Sequence, residues 1–326
     1  MPQSLPVSSR RTVAVVGLGS IGGAVGGCLG ESGQHDVIAC VRRPLQRFVL
    51  ERPGRTVNVP LRFLTDPAAA EPVDWVLLCT KTHETASAAP WLAHLCRPST
   101  TVAVLQNGID HVERVTPLAG GATVVPVIVY YNGERLAPDH VRLRTVGEHD
   151  VAVADDRPGR AFAALLQGTP LRVGLSADFT TLKWRKLLLN AVANPITALT
   201  LQRQGVLRRP DVHALCLAIL AEAVAVGRAE SARLADDEPE RTMATLATFA
   251  PELGTSMYFD RLAGRPFEVE ALTGAIVAAG ARHGIATPLN GMLLTLLRAI
   301  SDAAGKKNTG SGGSTSPAGS RPHSPP

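Results

Sequence analysis

A short glycine-rich segment near the start of the chain constrains the fold more than any other feature. It reads Gly17, Leu18, Gly19, Ser20, Ile21 and Gly22, directly after the apolar run 12–16. This order predicts a strand, a tight turn and a helix that packs closely on the strand. The N–H groups and the positive dipole of such a helix N-terminus bind a pyrophosphate. A second apolar run, 35–41, completes a βαβ unit, so the segment predicts a dinucleotide site.

Two other interpretations of this region remain open. Residues 13–30 carry no charge and follow Arg10 and Arg11, a pattern that signal peptides and membrane spans share. Seven glycines in this stretch, with no stop-transfer pattern after it, argue against a span. The second alternative is a glycine-rich packing turn that binds no ligand.

The predicted end of the second strand indicates which dinucleotide binds. Folds that bind NAD usually place an Asp or Glu here, which accepts a hydrogen bond from the ribose 2′-OH. This chain has Arg42, 20 residues after Gly22, followed by Arg43. Two guanidinium groups suit a 2′-phosphate, so the sequence favours NADP(H) over NAD(H). The alternative is a solvated basic turn before Pro44.

Composition excludes several classes of protein. The net charge is only +5 over 326 residues, and no basic run is interleaved with aromatic residues, so nucleic-acid binding is not indicated. The five cysteines are odd in number and widely spaced, with no C-x-x-C and no His/Cys cluster at metal spacing. We therefore expect no metal site, free thiols and a reducing, cytoplasmic location.

The chain changes character near residue 177. Before it, short apolar runs predict a parallel sheet from 12–16, 35–41, 57–64, 73–79 and 101–105, with 123–131, 141–146 and 151–154 completing a mixed sheet. After it, apolar residues at helical spacing predict helices over 179–203, 210–235, 239–250, 267–284 and 288–303. The expected fold is α/β, with a Rossmann-type NADP-binding domain (11–177), an all-helical domain (178–304) and a disordered Gly/Ser/Pro-rich tail (305–326).

The densest group of polar residues lies at the start of the helical half. Lys186, Asn190 and Asn194 are spaced by four and share one face of a predicted apolar helix. A buried row of one ammonium and two amides needs partners. The row therefore forms either the wall of a substrate cleft or a structural network in which Lys186 pairs with a carboxylate.

Four further candidates lie at the ends of predicted elements. Lys81 and Asn107 follow predicted strands, at the sheet edge where open α/β sheets bind ligands. Ser256 and Asp260 precede a predicted helix, where such residues often serve only as a cap. Alternatively, Lys81 is an ordinary exposed lysine in a loop.

Taken together, these segments resemble the ketopantoate reductase (2-dehydropantoate 2-reductase) family from about residue 12 to residue 298. The motif Trp184-x-Lys186-x-x-x-Asn190-x-x-x-Asn194-Pro195 is the most specific match. The glycine turn, Arg42, Lys81, Asn107, and Ser256 with Glu268 twelve residues later match the family in the same order. Gln204-Gly205 departs from the Asn-Gly that the family often carries after Asn-Pro.

The resemblance implies reduction of ketopantoate to pantoate by NADPH, in pantothenate and coenzyme A biosynthesis. Lys186 would act as general acid and electrostatic stabiliser, and Glu268 would help place the nicotinamide and Lys186. Asn107, Asn190, Asn194 and Ser256 would hold the substrate, and the glycine turn, Arg42, Lys81, Asn107 and Glu268 the cofactor. The implied partner is a small keto acid, with no membrane or nucleic acid, and the protein would be a monomer or homodimer.

Three other functions remain open on the sequence. The chain could reduce another 2-keto acid, or bind NADP(H) as a sensor without turnover. It could also be a β-hydroxyacid dehydrogenase, which likewise joins a Rossmann domain to helices and uses a catalytic lysine. The Trp184 motif and the spacing of Ser256 and Glu268 fit ketopantoate reductases better than this last class.

Overall fold

The computed structural model describes residues 10–145 and 147–310. The strands are β1 (Thr12–Val16), β2 (Asp36–Cys40), β3 (Val49–Arg52), β4 (Arg55–Asn58), β5 (Arg62–Leu64), β6 (Trp75–Leu78), β7 (Thr101–Val104), β8 (Thr123–Pro126), β9 (Ile128–Val129), β10 (Asn132–Ala137), β11 (His140–Arg144), β12 (Val151–Ala154) and β13 (Val173–Ser176). The α-helices are α1 (Ser20–Ser32), α2 (Ala89–Leu95), α3 (His111–Val115), α4 (Arg157–Leu165), α5 (Phe179–Thr200), α6 (Pro210–Ala229), α7 (Glu238–Ala247), α8 (Ser256–Leu262), α9 (Ala275–Arg282) and α10 (Pro288–Gly310).

A six-stranded sheet in the order β5-β2-β1-β6-β7-β8 forms the centre of the N-terminal half, and all its neighbouring strands are parallel. Its central strands are apolar and buried because both faces of the sheet are covered. The strand order reverses between β1 and β6, which is where such sheets bind ligands at their carboxyl ends. The α/β fold class with a Rossmann-type sheet followed by helices is confirmed.

The prediction of one mixed sheet is wrong, because two smaller sheets take the other strands. Their orders are β10-β11-β3-β4 and β13-β12-β9. The predicted strand 57–64 divides around Pro60 into β4 and β5, which join different sheets. The predicted strand 123–131 divides into β8, in the parallel sheet, and β9, which pairs with β12. Val146, the end of another predicted strand, lies outside the described residues.

Helix α1 lies between the parallel sheet and the second sheet, and its glycines let it approach both. A Cβ atom on Gly26 would lie 3.0 Å from Cγ2 of Val15 in β1. A Cβ atom on Gly23 would lie 2.7 Å from Cγ2 of Val141 in β11. The uncharged stretch 13–30 therefore forms a strand, a turn and a packed helix, so the alternative of a membrane span is wrong.

The C-terminal half is a bundle of helices around α5 and α6. Trp184, Leu188 and Val192 of α5 are buried against residues of α6 such as Ile219 and Leu220. Helix α6 is long and apolar enough to cross a membrane by length and composition, but this helix supplies the centre of the bundle core. Helix α10 continues through Gly310, beyond the predicted start of the tail at residue 305, and residues 311–326 lie outside the described part of the chain.

Candidate active site

The turn after β1 has the geometry that a pyrophosphate requires. Gly17 has φ +96°, and a Cβ atom there would lie 2.8 Å from the backbone N of Thr80. A Cβ atom on Gly22 would lie 2.1 Å from the carbonyl oxygen of Gly17. At Gly19 the same atom would meet nothing within 4 Å, although this residue is the N-cap of α1 and no side chain caps the helix. Open space in front of uncapped N–H groups fits a dinucleotide phosphate.

The two arginines after β2 are exposed beside this turn. The Arg42 guanidinium donates a hydrogen bond to Glu84 Oε1 at 2.8 Å, and the Arg42 side chain is 86% exposed. Exposed ion pairs contribute little free energy, so a phosphate dianion can compete for the guanidinium. Arg42 and Arg43 therefore fit the 2′-phosphate of NADP(H).

A buried carboxylate joins the sheet edge to the helical half. Glu268 is 6% exposed, and its Oε1 accepts a hydrogen bond from the backbone N–H of Thr82 at 3.0 Å. Its Oε2 accepts from Lys81 Nζ at 3.2 Å and from Asn107 Nδ2 at 3.1 Å. Lys81 Nζ also donates to Asp260 Oδ2 at 2.9 Å. Two candidates that are far apart in sequence, Lys81 and Asn107, therefore meet at one carboxylate.

Glu268 and Lys81 both stay charged near neutral pH. Burial acts to raise the pKa of Glu268, but the charge of Lys81 and the hydrogen bonds from Thr82 and Asn107 lower it overall. Burial acts to lower the pKa of Lys81, but the carboxylates of Glu268 and Asp260 raise it overall. Neither group is therefore suited to exchange a proton during a reaction at neutral pH.

The polar face of α5 is organised around Asn194, which is 4% exposed. Its Nδ2 donates to Asn190 Oδ1 at 3.2 Å. Its Oδ1 accepts from Ser256 Oγ and from the backbone N–H of Met257, both at 3.3 Å. Thr255, and not Ser256, caps α8, because the Thr255 hydroxyl accepts from the backbone N–H of Tyr258. Ser256 therefore belongs to the Asn194 network and not to a helix cap.

Lys186 lines a cavity together with Gln106, Asn107, Val129, Lys183 and Asn190. Within the described ranges the structure gives it no salt bridge and no hydrogen bond, so the interpretation as a lysine paired with a carboxylate is wrong. Burial lowers the pKa of Lys186 to about 8. A lysine with this pKa is a competent general acid near neutral pH.

The resemblance implies that Glu268 helps place the nicotinamide and Lys186. Its hydrogen bonds go to Lys81, Thr82 and Asn107 and not to Lys186. Desolvation accounts for the lowered pKa of Lys186, with no contribution from the Glu268 charge. Glu268 therefore contacts the sheet edge, while Lys186, Asn190 and Asn194 on α5 form a separate group. The role of Glu268 in placing the nicotinamide and Lys186 stays a prediction.

The contacts of several residues in these groups do not follow from the sequence. The sequence offers Asp260 only as part of a cap, but it accepts a hydrogen bond from Lys81, and its spacing of four from Ser256 places the two on one face of α8. Gln106 Nε2 donates to the carbonyl and hydroxyl oxygens of Thr80, which ties the two strand-end loops together. Gln204 lies in the 3₁₀ turn Gln204–Arg208, and its buried Oε1 has no partner among the described residues. In those same residues no group of three or more His, Cys, Asp or Glu could hold a metal ion.

The comparisons with known proteins agree on one family. The sequence model of the ketopantoate reductase PanE/ApbA family matches residues 13–156, and that of the C-terminal part of the same family matches residues 178–301. The chain is 40% identical to the 2-dehydropantoate 2-reductase of Mycobacterium tuberculosis over 295 residues, covering 90% of this chain and 99% of that protein. It is 38% identical to the 2-dehydropantoate 2-reductase of Caulobacter vibrioides over 288 residues, covering 88% and 98%.

Solved structures show the same relationship. A PanE/ApbA family ketopantoate reductase from Ralstonia eutropha superposes with a TM-score of 0.82 at 31% identity, covering 90% of this chain and 99% of that one. A dimeric ketopantoate reductase from Staphylococcus aureus superposes with a TM-score of 0.80 at 25% identity and the same coverage. With matches along nearly the whole length of its relatives, this chain belongs to the ketopantoate reductase PanE/ApbA family.

Proposed function

We propose that this protein is an oxidoreductase that reduces 2-dehydropantoate to pantoate with NADPH. One observation carries the proposal. Lys186 enters a cavity at the carboxyl edge of the parallel sheet with no counter-ion among the described residues, beside Asn107 and Asn190. An uncompensated ammonium at this edge suits a substrate on which negative charge develops. The sequence relatives carry the same activity in their names.

The residues that would hold the cofactor are the glycine turn 17–22, Arg42, Lys81, Asn107 and Glu268. When bound, NADPH supplies the hydride that reduces the keto carbon. Glu268 holds the Asn107 amide at the end of β7, and the Thr82 N–H and Lys81 bind the same carboxylate. These contacts fix one wall of the cleft before any ligand arrives, which lowers the entropic cost of orienting it.

Lys186 acts on the keto oxygen of the substrate. As the carbonyl is reduced, its oxygen becomes an alkoxide, and the ammonium stabilises this charge and donates the proton. With a pKa of about 8, Lys186 is mainly protonated at neutral pH and regains its proton readily. It therefore combines both roles in one side chain.

The amides of α5 orient the substrate. Because Asn194 Nδ2 donates to Asn190 Oδ1, the Asn190 Nδ2 group is left to donate to a substrate oxygen. Ser256 donates to Asn194 Oδ1, which also accepts from Met257 N–H. The Ser256 hydroxyl can rotate to a substrate carboxylate while Met257 continues to hold Asn194.

We also propose that the protein acts in the cytoplasm, as a monomer or a homodimer. All five cysteines are free thiols, as a reducing compartment favours. The Staphylococcus aureus ketopantoate reductase is dimeric. Analytical ultracentrifugation at several protein concentrations distinguishes the two states.

The direct test measures NADPH oxidation by its absorbance with ketopantoate as substrate. We expect Lys186→Ala to lower kcat by about 10²- to 10⁴-fold, because it removes both the acid and the positive charge. Arg241→Ala is the matched control, since this exposed guanidinium pairs with Asp237 at the N-cap of α7 and its loss changes the net charge equally.

The outcomes separate the candidate functions. Turnover of ketopantoate that survives Lys186→Ala would contradict the proposed mechanism. Turnover of a different 2-keto acid alone would redirect the substrate assignment. Tight NADPH binding with no turnover of any keto acid would indicate a nucleotide-binding protein without catalysis.

A further inference from the structure

The Lys186 ammonium has an aromatic neighbour that the proposed reaction does not yet use. Lys186 Nζ lies 5.3 Å from the centroid of the Tyr130 ring, over its face. This is the distance at which a cation is attracted by the negative face of an aromatic ring. Lys186 forms no salt bridge and no hydrogen bond within the described ranges, so the ring is its chief attractive neighbour.

We propose that Tyr130 is a positioning residue for Lys186, whose ring face holds the ammonium in the cavity in place of a carboxylate counter-ion. The inference rests on the proposed function for its kinetic consequences only. The contact itself joins two distant parts of the chain, since Tyr130 lies between β9 and β10 and Lys186 lies on α5.

Hydrogen bonds hold the backbone segment that carries the Tyr130 ring. The N–H groups of Tyr130 and Tyr131 both donate to the carbonyl oxygen of Asp150, at 2.9 and 3.1 Å. The Tyr131 hydroxyl donates to the carbonyl oxygen of Ile21 at 2.8 Å. The segment is therefore anchored next to strand β12 and to helix α1, so the backbone that carries the Tyr130 ring is held in place.

The other titratable groups around Lys186 do not attract its ammonium in place of the Tyr130 ring. Lys183 lines the same cavity one helical turn earlier and repels the Lys186 ammonium. His111 lines it from α3, and burial lowers the pKa of His111 to about 4, so this imidazole is neutral. Arg185 pairs with Glu238 on α7.

Burial raises the pKa of Tyr130 to about 12, so its hydroxyl stays protonated and the ring stays neutral.

A neutral ring suits this position better than a carboxylate would. A carboxylate would raise the pKa of Lys186 and would repel an anionic keto acid. It would also neutralise the charge that must stabilise the alkoxide. The ring attracts the ammonium without adding negative charge to the cavity.

The test replaces Tyr130 by Phe and by Leu in the full-length protein. Tyr130→Phe keeps the ring face, and we expect kcat and KM within about twofold of the wild type. Tyr130→Leu removes it, and we expect kcat to fall about tenfold with little change in KM. Because the protonated lysine loses its stabilisation, the alkaline limb of the kcat–pH profile shifts to lower pH by about one unit.

A series of fluorinated phenylalanines at position 130 guards against a folding defect, because fluorine weakens the negative ring face while the ring shape is kept. We expect the alkaline limb to move to lower pH with each added fluorine. Phe259→Leu is the control, since Phe259 is an exposed aromatic residue outside the cavity. An unchanged pH profile across the series, or equal losses in Tyr130→Phe and Tyr130→Leu, would overturn the proposal.

A second readout is independent of turnover. The rate at which an amine-reactive reagent modifies Lys186, measured by mass spectrometry against pH, reports the ionisation of this lysine in the substrate-free protein. We expect the midpoint to fall by about one pH unit in Tyr130→Leu and not in Tyr130→Phe. If ketopantoate is not reduced but this shift appears, the proposed reaction fails and the positioning role stands.

Discussion

At the scale of single residues, the cleft contains two lysines in opposite electrostatic states. Lys81 lies between the carboxylates of Glu268 and Asp260, which keep it charged. Lys186 is half-buried beside a neutral ring and amides, and desolvation lowers its pKa to about 8. Because a proton donor must change its charge and a binding residue must not, these surroundings suit Lys186 to the proposed proton donation and Lys81 to binding.

Glu268→Gln tests the task of the ion cluster. The amide keeps the shape but has one acceptor oxygen for three donors, so at least one of Thr82 N–H, Lys81 and Asn107 loses its bond. We expect NADPH affinity, measured by fluorescence titration, to fall by at least about tenfold, the equivalent of one hydrogen bond to a charged group. The control is Glu270→Gln, since this exposed carboxylate pairs with Arg298 outside the cleft. Equal losses in both variants would contradict the assignment.

At the scale of elements, the β1–α1 unit shows why its glycines are not equivalent. Gly22 lies where helix α1 packs tightly against the chain after β1 and β6. A Cβ atom there would also lie 2.9 Å from Cβ of Cys79. Gly19 has φ −83° and open space around it, so an alanine fits the protein there. One glycine serves packing and the other leaves room for a ligand.

Alanine at each position separates these roles. We expect Gly19→Ala to leave the melting temperature unchanged and to weaken NADPH binding by more than about tenfold, because its methyl group occupies the space in front of the helix N-terminus. We expect Gly22→Ala to lower the free energy of unfolding by about 1–3 kcal/mol through overpacking. Calorimetry and NADPH titration of both variants provide the check. A Gly19→Ala protein with unaltered NADPH affinity would mean that the turn does not hold the pyrophosphate.

At the scale of the whole molecule, the burial that suits Lys186 to the proposed chemistry also lowers the stability of the folded protein at neutral pH. The pKa of Lys186 falls from 10.5 to about 8, so between these pH values the unfolded chain binds more protons than the folded one. Stability contributed by this site therefore rises with pH from about 8 to 10.5. Below about pH 8 Lys186 is protonated in both the folded and the unfolded state. The full unfavourable free energy of burying its ammonium then lowers the stability of the folded protein.

Lys186→Met removes this cost. We expect the inactive variant to gain about 1–3 kcal/mol in free energy of unfolding at neutral pH, with the gain fading as the pH rises from about 8 towards 10.5. Urea unfolding at several pH values measures the difference, with Arg241→Met as the charge control. A destabilised Lys186→Met protein at neutral pH would show that the ammonium is compensated in the folded state.

Much of this organisation is predictable from the sequence because it depends on local patterns. The apolar runs that form β1, β2, β6 and β7, the glycine turn and the helical spacing of Lys186, Asn190 and Asn194 all follow from residues close in the chain. Periodicity and turn chemistry act over a few residues, so they can be recognised without knowing the fold. The resemblance to ketopantoate reductases combined these local motifs into one family.

Only the tertiary structure decided which elements meet and which side chains become partners. An apolar run does not encode its neighbour, so the sequence did not show that 57–64 and 123–131 each divide between two sheets. Nor did it show that Glu268 binds Lys81 and Asn107, or that Lys186 faces Tyr130. Charge, burial and proton affinity depend on contacts between residues distant in sequence, and these exist only once the chain has folded.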